Sequence, residues 1–181
     1  MIKQETETGL NHLASHIVDE IEKSTINENI KKLVKNYPNK KDYPDAESLY
    51  NLIGGKMDKM YDADVEAGNA NYINTCAVRI SRALNYSGME IPADAGKGIR
   101  TFKGGDNKNY IISAIEMVDY LTKNYGKQPF FTGSETKPLN GIIAMFPKNI
   151  EGSNVYHVDL VYKGNWIGSQ GMSPTYFKIW F

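Results

Sequence analysis

The feature that most constrains this chain is a change of hydrophobic period near Pro129. Before it, apolar residues recur at spacings of three and four between capping residues and glycine stops, which is the pattern of amphipathic helices. After it, the apolar stretches are short, β-branched and aromatic, which is the pattern of strands. Helices first and adjacent strands afterwards predict an α+β domain, its helical N-terminal half packed on an antiparallel β-sheet.

The predicted elements follow from local signals. Asp45 is placed to cap a short helix through Ile53, which Gly54 and Gly55 end. A longer helix is predicted from Thr75 to Tyr86, with Asn74 as cap, Ile73, Ala77, Ile80 and Leu84 as its apolar stripe, and Gly88 beyond its end. A third covers Tyr110 to Asn124 and stops at Gly126. Strands are predicted at Gly141–Phe146, Val155–Tyr162 and Tyr176–Phe181, with Lys163-Gly164-Asn165 as a hairpin turn. Near the N-terminus, Leu10, Leu13, Ile17 and Ile21 mark one helix face, either a first core helix or a separable extension. The division adopted is an extension over 1–32 and one domain over 33–181.

Composition excludes several classes of function. Twenty-one basic residues balance 21 acidic ones in 181, so the basic surface that binds nucleic acid through phosphates is not expected. No apolar run approaches the roughly 20 residues that span a bilayer, and the N-terminal residues lack the basic-then-apolar order of a secretory signal. Cys76 is the only cysteine. An intrachain disulfide is therefore impossible, and neither a metal nor a cofactor is expected. His12 and His16 stand four apart on the first helical pattern but lack a third ligand nearby, so a solvated face is the better reading. The glycines at 96, 98, 104 and 105 do not follow the order of a phosphate-binding loop.

Two segments carry possible chemistry. Asn74-Thr75-Cys76-Ala77-Val78-Arg79 puts a thiol in the opening turn of a helix, where unpaired N–H groups and the helix dipole favour a thiolate. The bland alternative is a small buried side chain. Tyr156-His157-Val158-Asp159-Leu160 puts two polar residues on one face of an apolar strand, where burial demands partners for both. A helix-start cysteine followed by a strand histidine is the combination of a cysteine hydrolase. Asp159 is a candidate to orient His157; Asn165 and Gln170, on the following arm, are alternatives. Arg79, Lys97 and Arg100 are candidate substrate-binding residues, with Lys103 completing a basic rim able to meet a carboxylate. Two other functions fit these residues: a catalytically inactive binding module on the same scaffold, and an acyltransferase using the same Cys/His pair.

The chain resembles the fourth family of type VI secretion amidase effectors, distant relatives of NlpC-type, papain-like cysteine peptidases. The resemblance rests on Asn36-Tyr37-Pro38, on Asn74-Thr75-Cys76-Ala77-Val78-Arg79-Ile80-Ser81 with Ala83-Leu84-Asn85, and on Gly104-Gly105-Asp106. It continues through Val118-Asp119-Tyr120-Leu121, Gly141-Ile142-Ile143, His157-Val158-Asp159-Leu160 and Phe177-Lys178-Ile179-Trp180, spanning about 33–181. It implies an amidase cutting the peptidoglycan stem between D-glutamate and meso-diaminopimelate, with Cys76 as nucleophile and His157 as base. It also implies delivery by the secretion apparatus into the periplasm of target bacteria, and a cognate immunity protein that blocks the cleft. The family's usual acid beyond the histidine has no counterpart in Asn165–Gly171, which leaves the third catalytic position open.

Overall fold

The computed structural model describes residues 28–133, 139–149, 154–168 and 174–181. The expected helix face at Leu10–Ile21 and the residues His12, His16 and Gln170 lie outside the described residues. Residues 28–36 are helical (α1) and bury Ile30 and Leu33.

The helical half follows its capping chemistry. α2 (Ala46–Ile53) starts where Asp45 accepts from the Ser48 amide at 2.9 Å while the Ser48 hydroxyl accepts from the Asp45 amide, a reciprocal box that satisfies two orphan donors. Gly54 and Gly55 both adopt positive φ, 66° and 69°, and a side chain on Gly55 would collide with the Gly105 backbone. These glycines therefore turn the chain and let two backbones touch. α3 (Gly55–Glu66) follows at once; only Met57 and Asp64 are buried in it. α4 (Cys76–Tyr86) is almost wholly buried. A two-stranded sheet, β1 (Phe102–Lys103) with β2 (Asn109–Tyr110), closes the loop before α5 (Ala114–Tyr125). Ser113 caps α5 by accepting from the Glu116 amide, so the helix starts four residues later than its apolar pattern predicts and Tyr110 belongs to β2.

The second half is one antiparallel sheet in the order β3-β7-β4-β5-β6. Its strands are β3 (Phe131–Thr132), β4 (Gly141–Phe146), β5 (His157–Tyr162), β6 (Asn165–Trp166) and β7 (Tyr176–Trp180). The β5–β6 turn takes left-handed conformations at Lys163 (φ 52°) and Gly164 (φ 75°), which matches the twist of a tight hairpin. Ile142, Ala144, Phe146, Val158, Leu160 and Trp180 from the sheet join Ala77, Ile80 and Leu84 of α4 and Met117 and Leu121 of α5 in the main core. The expected α+β architecture, helices first and packed on an antiparallel sheet, is the one found. No helix among the described residues is long and apolar enough to cross a membrane.

Candidate active site

The site forms where the start of α4 meets the first residues of β5. Cys76 opens α4 and is 6% exposed. Asn74 helps to fix this start, accepting from the Cys76 amide at 3.4 Å. Thr75, not the expected Asn74, occupies the capping position, and its side chain does not cap. Its hydroxyl instead accepts from Arg79 Nε at 3.1 Å. Ile73, expected on the buried stripe, is 62% exposed because the helix has not yet begun there.

His157 and Cys76 share a side-chain hydrogen bond. Behind the imidazole, Asp159 is fully buried, and its Oδ2 lies 3.6 Å from His157 Nε2. The other carboxylate oxygen, Oδ1, accepts from the Leu160 amide at 2.7 Å, the Gly168 amide at 3.0 Å and the Tyr37 hydroxyl at 3.1 Å. These bonds explain how a buried carboxylate is tolerated in an apolar strand. β6 pairs only with Val161 and Tyr162. Beyond it, Ile167 still donates to the Leu160 carbonyl, while the Gly168 amide is given to Asp159 instead of to the ladder.

Electrostatics favour a charged imidazole. Burial opposes the charge, but the hydrogen bonds and negative charges of Asp159 and Cys76 outweigh it and raise the His157 pKa from 6.5 to about 9. A raised folded-state pKa gives stability that is complete below about pH 6.5 and lost as pH rises through about 9. The urea-unfolding free energy is therefore expected to fall between neutral pH and about pH 10. The fall should be smaller in His157→Gln, and equal falls in both proteins would contradict this account.

The remaining candidates fall elsewhere. Arg79, expected to meet substrate, is 2% exposed. Its guanidinium points inward to the Pro38 and Tyr43 carbonyls and Thr75 Oγ1. Five donors in a rigid fork make it suited to tying the segment 38–43 to the first turn of α4. Asn165, the first residue of β6, is exposed beside the hairpin turn and donates to the Lys163 carbonyl. Five residues of strand register separate its partner Tyr162 from His157, about 16 Å, too far to orient the ring. Lys97 and Arg100 are exposed on a loop anchored to α5 through Arg100–Glu116 (2.6 Å) and Lys123 to the Ala95 carbonyl (3.1 Å). Lys103 is exposed on β1.

Tyr37 is the residue at this site whose contact the sequence patterns did not reveal. It stood out only as part of Asn36-Tyr37-Pro38, and nothing in the spacing connects it to Asp159, 122 positions away.

Residues 72–181, which contain both the α4 start and β5, match the family model described as type VI secretion system (T6SS), amidase effector protein 4, or Tae4. The chain belongs to that family. Solved structures of similar fold agree with this family. The effector Tae4 from Enterobacter cloacae is 24% identical, with a TM-score of 0.61 over 86% of this chain and 94% of that one. The effector–immunity complex Tae4–Tai4 from the same organism gives 24% identity and a TM-score of 0.60 over 86% and 96%. The effector–immunity system Tae4/Tai4 from Salmonella typhimurium gives 22% identity and a TM-score of 0.60 over the same shares, 86% and 96%. No curated protein matches the sequence.

Proposed function

We propose that this family member is a cysteine amidase on a papain-like, NlpC-like scaffold, and that it cuts the peptide stem of peptidoglycan between D-glutamate and meso-diaminopimelate. The observation that carries the reading is the contact chain Cys76–His157–Asp159, in which a helix-start sulfur, an imidazole and a buried carboxylate follow one another. The acid that relatives place beyond the histidine is supplied here by Asp159, two residues along the same strand.

In this mechanism the Cys76 thiolate attacks the D-glutamyl carbonyl carbon. The Cys76 amide is given to Asn74; the next N–H groups of the first turn of α4, which lack acceptors within the helix, are the donors that this helix start offers to the developing oxyanion. As the tetrahedral intermediate collapses, the His157 imidazolium gives its proton to the departing diaminopimelate amine, leaving a thioester on Cys76. The neutral imidazole then takes a proton from water, whose oxygen attacks the thioester. The D-glutamyl carboxylate leaves, and thiolate and imidazolium are restored. Asp159 keeps the ring aimed at the sulfur throughout, the orienting role of a triad's third member.

The domain we assign to this activity is 33–181, acting in the periplasm of target bacteria after delivery by the secretion apparatus. A cognate immunity protein in the producing cell is the expected inhibitor, as the paired complexes of the relatives suggest. Mass spectrometry of purified muropeptides after incubation with the protein tests the reaction. Products ending in D-glutamate together with fragments bearing a free diaminopimelate amine are expected. Cleavage at another bond would overturn the substrate assignment, and intact muropeptides would overturn the activity.

A further inference from the structure

We infer that Tyr37 is a positioning residue for the site: its hydroxyl, with the backbone amides of Leu160 and Gly168, occupies Asp159 Oδ1 and so turns Oδ2 toward His157 Nε2. The inference rests on the proposed roles of Cys76 and His157.

Three observations carry it. Tyr37 is 5% exposed and lies in the core cluster that contains Cys76, so its phenol is shielded from water and its bond to Asp159 is correspondingly strong. Burial first, and then the nearby Asp159 charge, hold the phenol pKa well above its ordinary value, so the hydroxyl remains a donor across the working pH range. Gly168 makes the arrangement possible, because a Cβ there would overlap both the Tyr37 hydroxyl and Asp159 Oδ1. The absent side chain is the space in which carboxylate, phenol and amide meet.

Tyr37 is itself fixed from the nucleophile's side. Arg79, three residues into α4 from Cys76, donates to the carbonyls of Pro38 and Tyr43 that follow Tyr37 in the chain. One connected set of bonds thus runs from the cysteine helix through Arg79 and the 37–43 segment to Asp159, and from there to the imidazole. The sulfur and the histidine sit on different elements, and this set holds their separation. The charged and titratable groups bearing on the imidazole through it are Cys76, Asp159, Tyr37 and Arg79.

Tyr37→Phe keeps the ring and removes the donor. In the full chain, the His157 titration is followed by NMR, its resonance identified by its loss in His157→Gln. In parallel, kcat and KM are measured on muropeptides. With Oδ1 less firmly held, the His157 midpoint should fall from about 9 toward 6.5. The kcat should drop by roughly tenfold to a hundredfold, the effect of a small misplacement of a reacting group, with KM little changed. Gly168→Ala should move the titration in the same direction by crowding the same oxygen. A lower melting temperature with the titration and kcat both unchanged in Tyr37→Phe would overturn the inference, since that is what a merely structural tyrosine would show. Hydrolysis surviving Cys76→Ala would instead count against the proposed function, while the titration would still decide what Tyr37 does to His157.

Discussion

Replacing Cys76 by alanine should reduce hydrolysis of muropeptides by at least about a thousandfold, the scale on which a covalent mechanism depends on its nucleophile. The change should leave the fold nearly untouched. Cys76 is small and only its thiol is removed; its backbone, held by Asn74, keeps its place at the head of α4. His157→Ala should cost a comparable factor, because the same ring receives the proton and returns it to the leaving amine. The two losses should not add, since neither residue works without the other. Rates of muropeptide cleavage for the two single variants and the double variant are the check. A double variant much slower than either single one would show that the residues act independently.

Asp159→Ala should have a large effect of a different kind, on stability as well as on rate. Removing this fully buried carboxylate leaves the Tyr37 hydroxyl, the amides of Leu160 and Gly168, and the charged ring of His157 without their acceptor. Breaking a buried charged pair from one side costs about 3–5 kcal/mol, a large fraction of the stability of a domain this size. Urea unfolding at neutral pH measures that cost. The folded fraction should also lose about a hundredfold or more in kcat, because the imidazole is no longer oriented. Asp159→Asn separates the effects: it retains acceptor capacity for the three Oδ1 donors, so it should recover most of the stability while leaving the rate low. A fully active Asp159→Asn would remove the carboxylate from the mechanism.

The parts of this molecule that were legible in the sequence are those where one local signal decides. Asp45 and Gly54-Gly55 mark α2 because capping and positive φ are properties of single residues. Gly141–Phe146 was readable as a short apolar run and the Lys163-Gly164 turn from its glycine. α3 escaped because its one buried apolar residue, Met57, makes no stripe. The α5 pattern overran its true start because Tyr110 and Ile111 are buried by β2 and the loop that follows, not by a helix face.

The site divides in the same way. Cys76 and His157 announced themselves through residue type and predicted element. The partnership of His157 with Asp159 was only half legible. Alternation puts residues two apart on one side of a strand, but the side-chain angles that bring Oδ2 to Nε2 are set by Tyr37 and Gly168, which reach Asp159 from other parts of the chain. Arg79 was misplaced because a position one turn into a helix does not say which way the side chain points. Only the fold shows the Pro38 and Tyr43 carbonyls waiting on the inner side.

The measurement that bears most directly on the central claim is the rate of Cys76 alkylation by iodoacetamide as a function of pH, in the native protein and in His157→Gln. A sulfur paired with a charged imidazole and reachable from solvent should be modified rapidly at neutral pH, with a rate that changes little until His157 loses its proton near pH 9. In His157→Gln the rate at neutral pH should collapse. A Cys76 that is inert in the folded protein, or that reacts identically with and without the imidazole, would contradict the account.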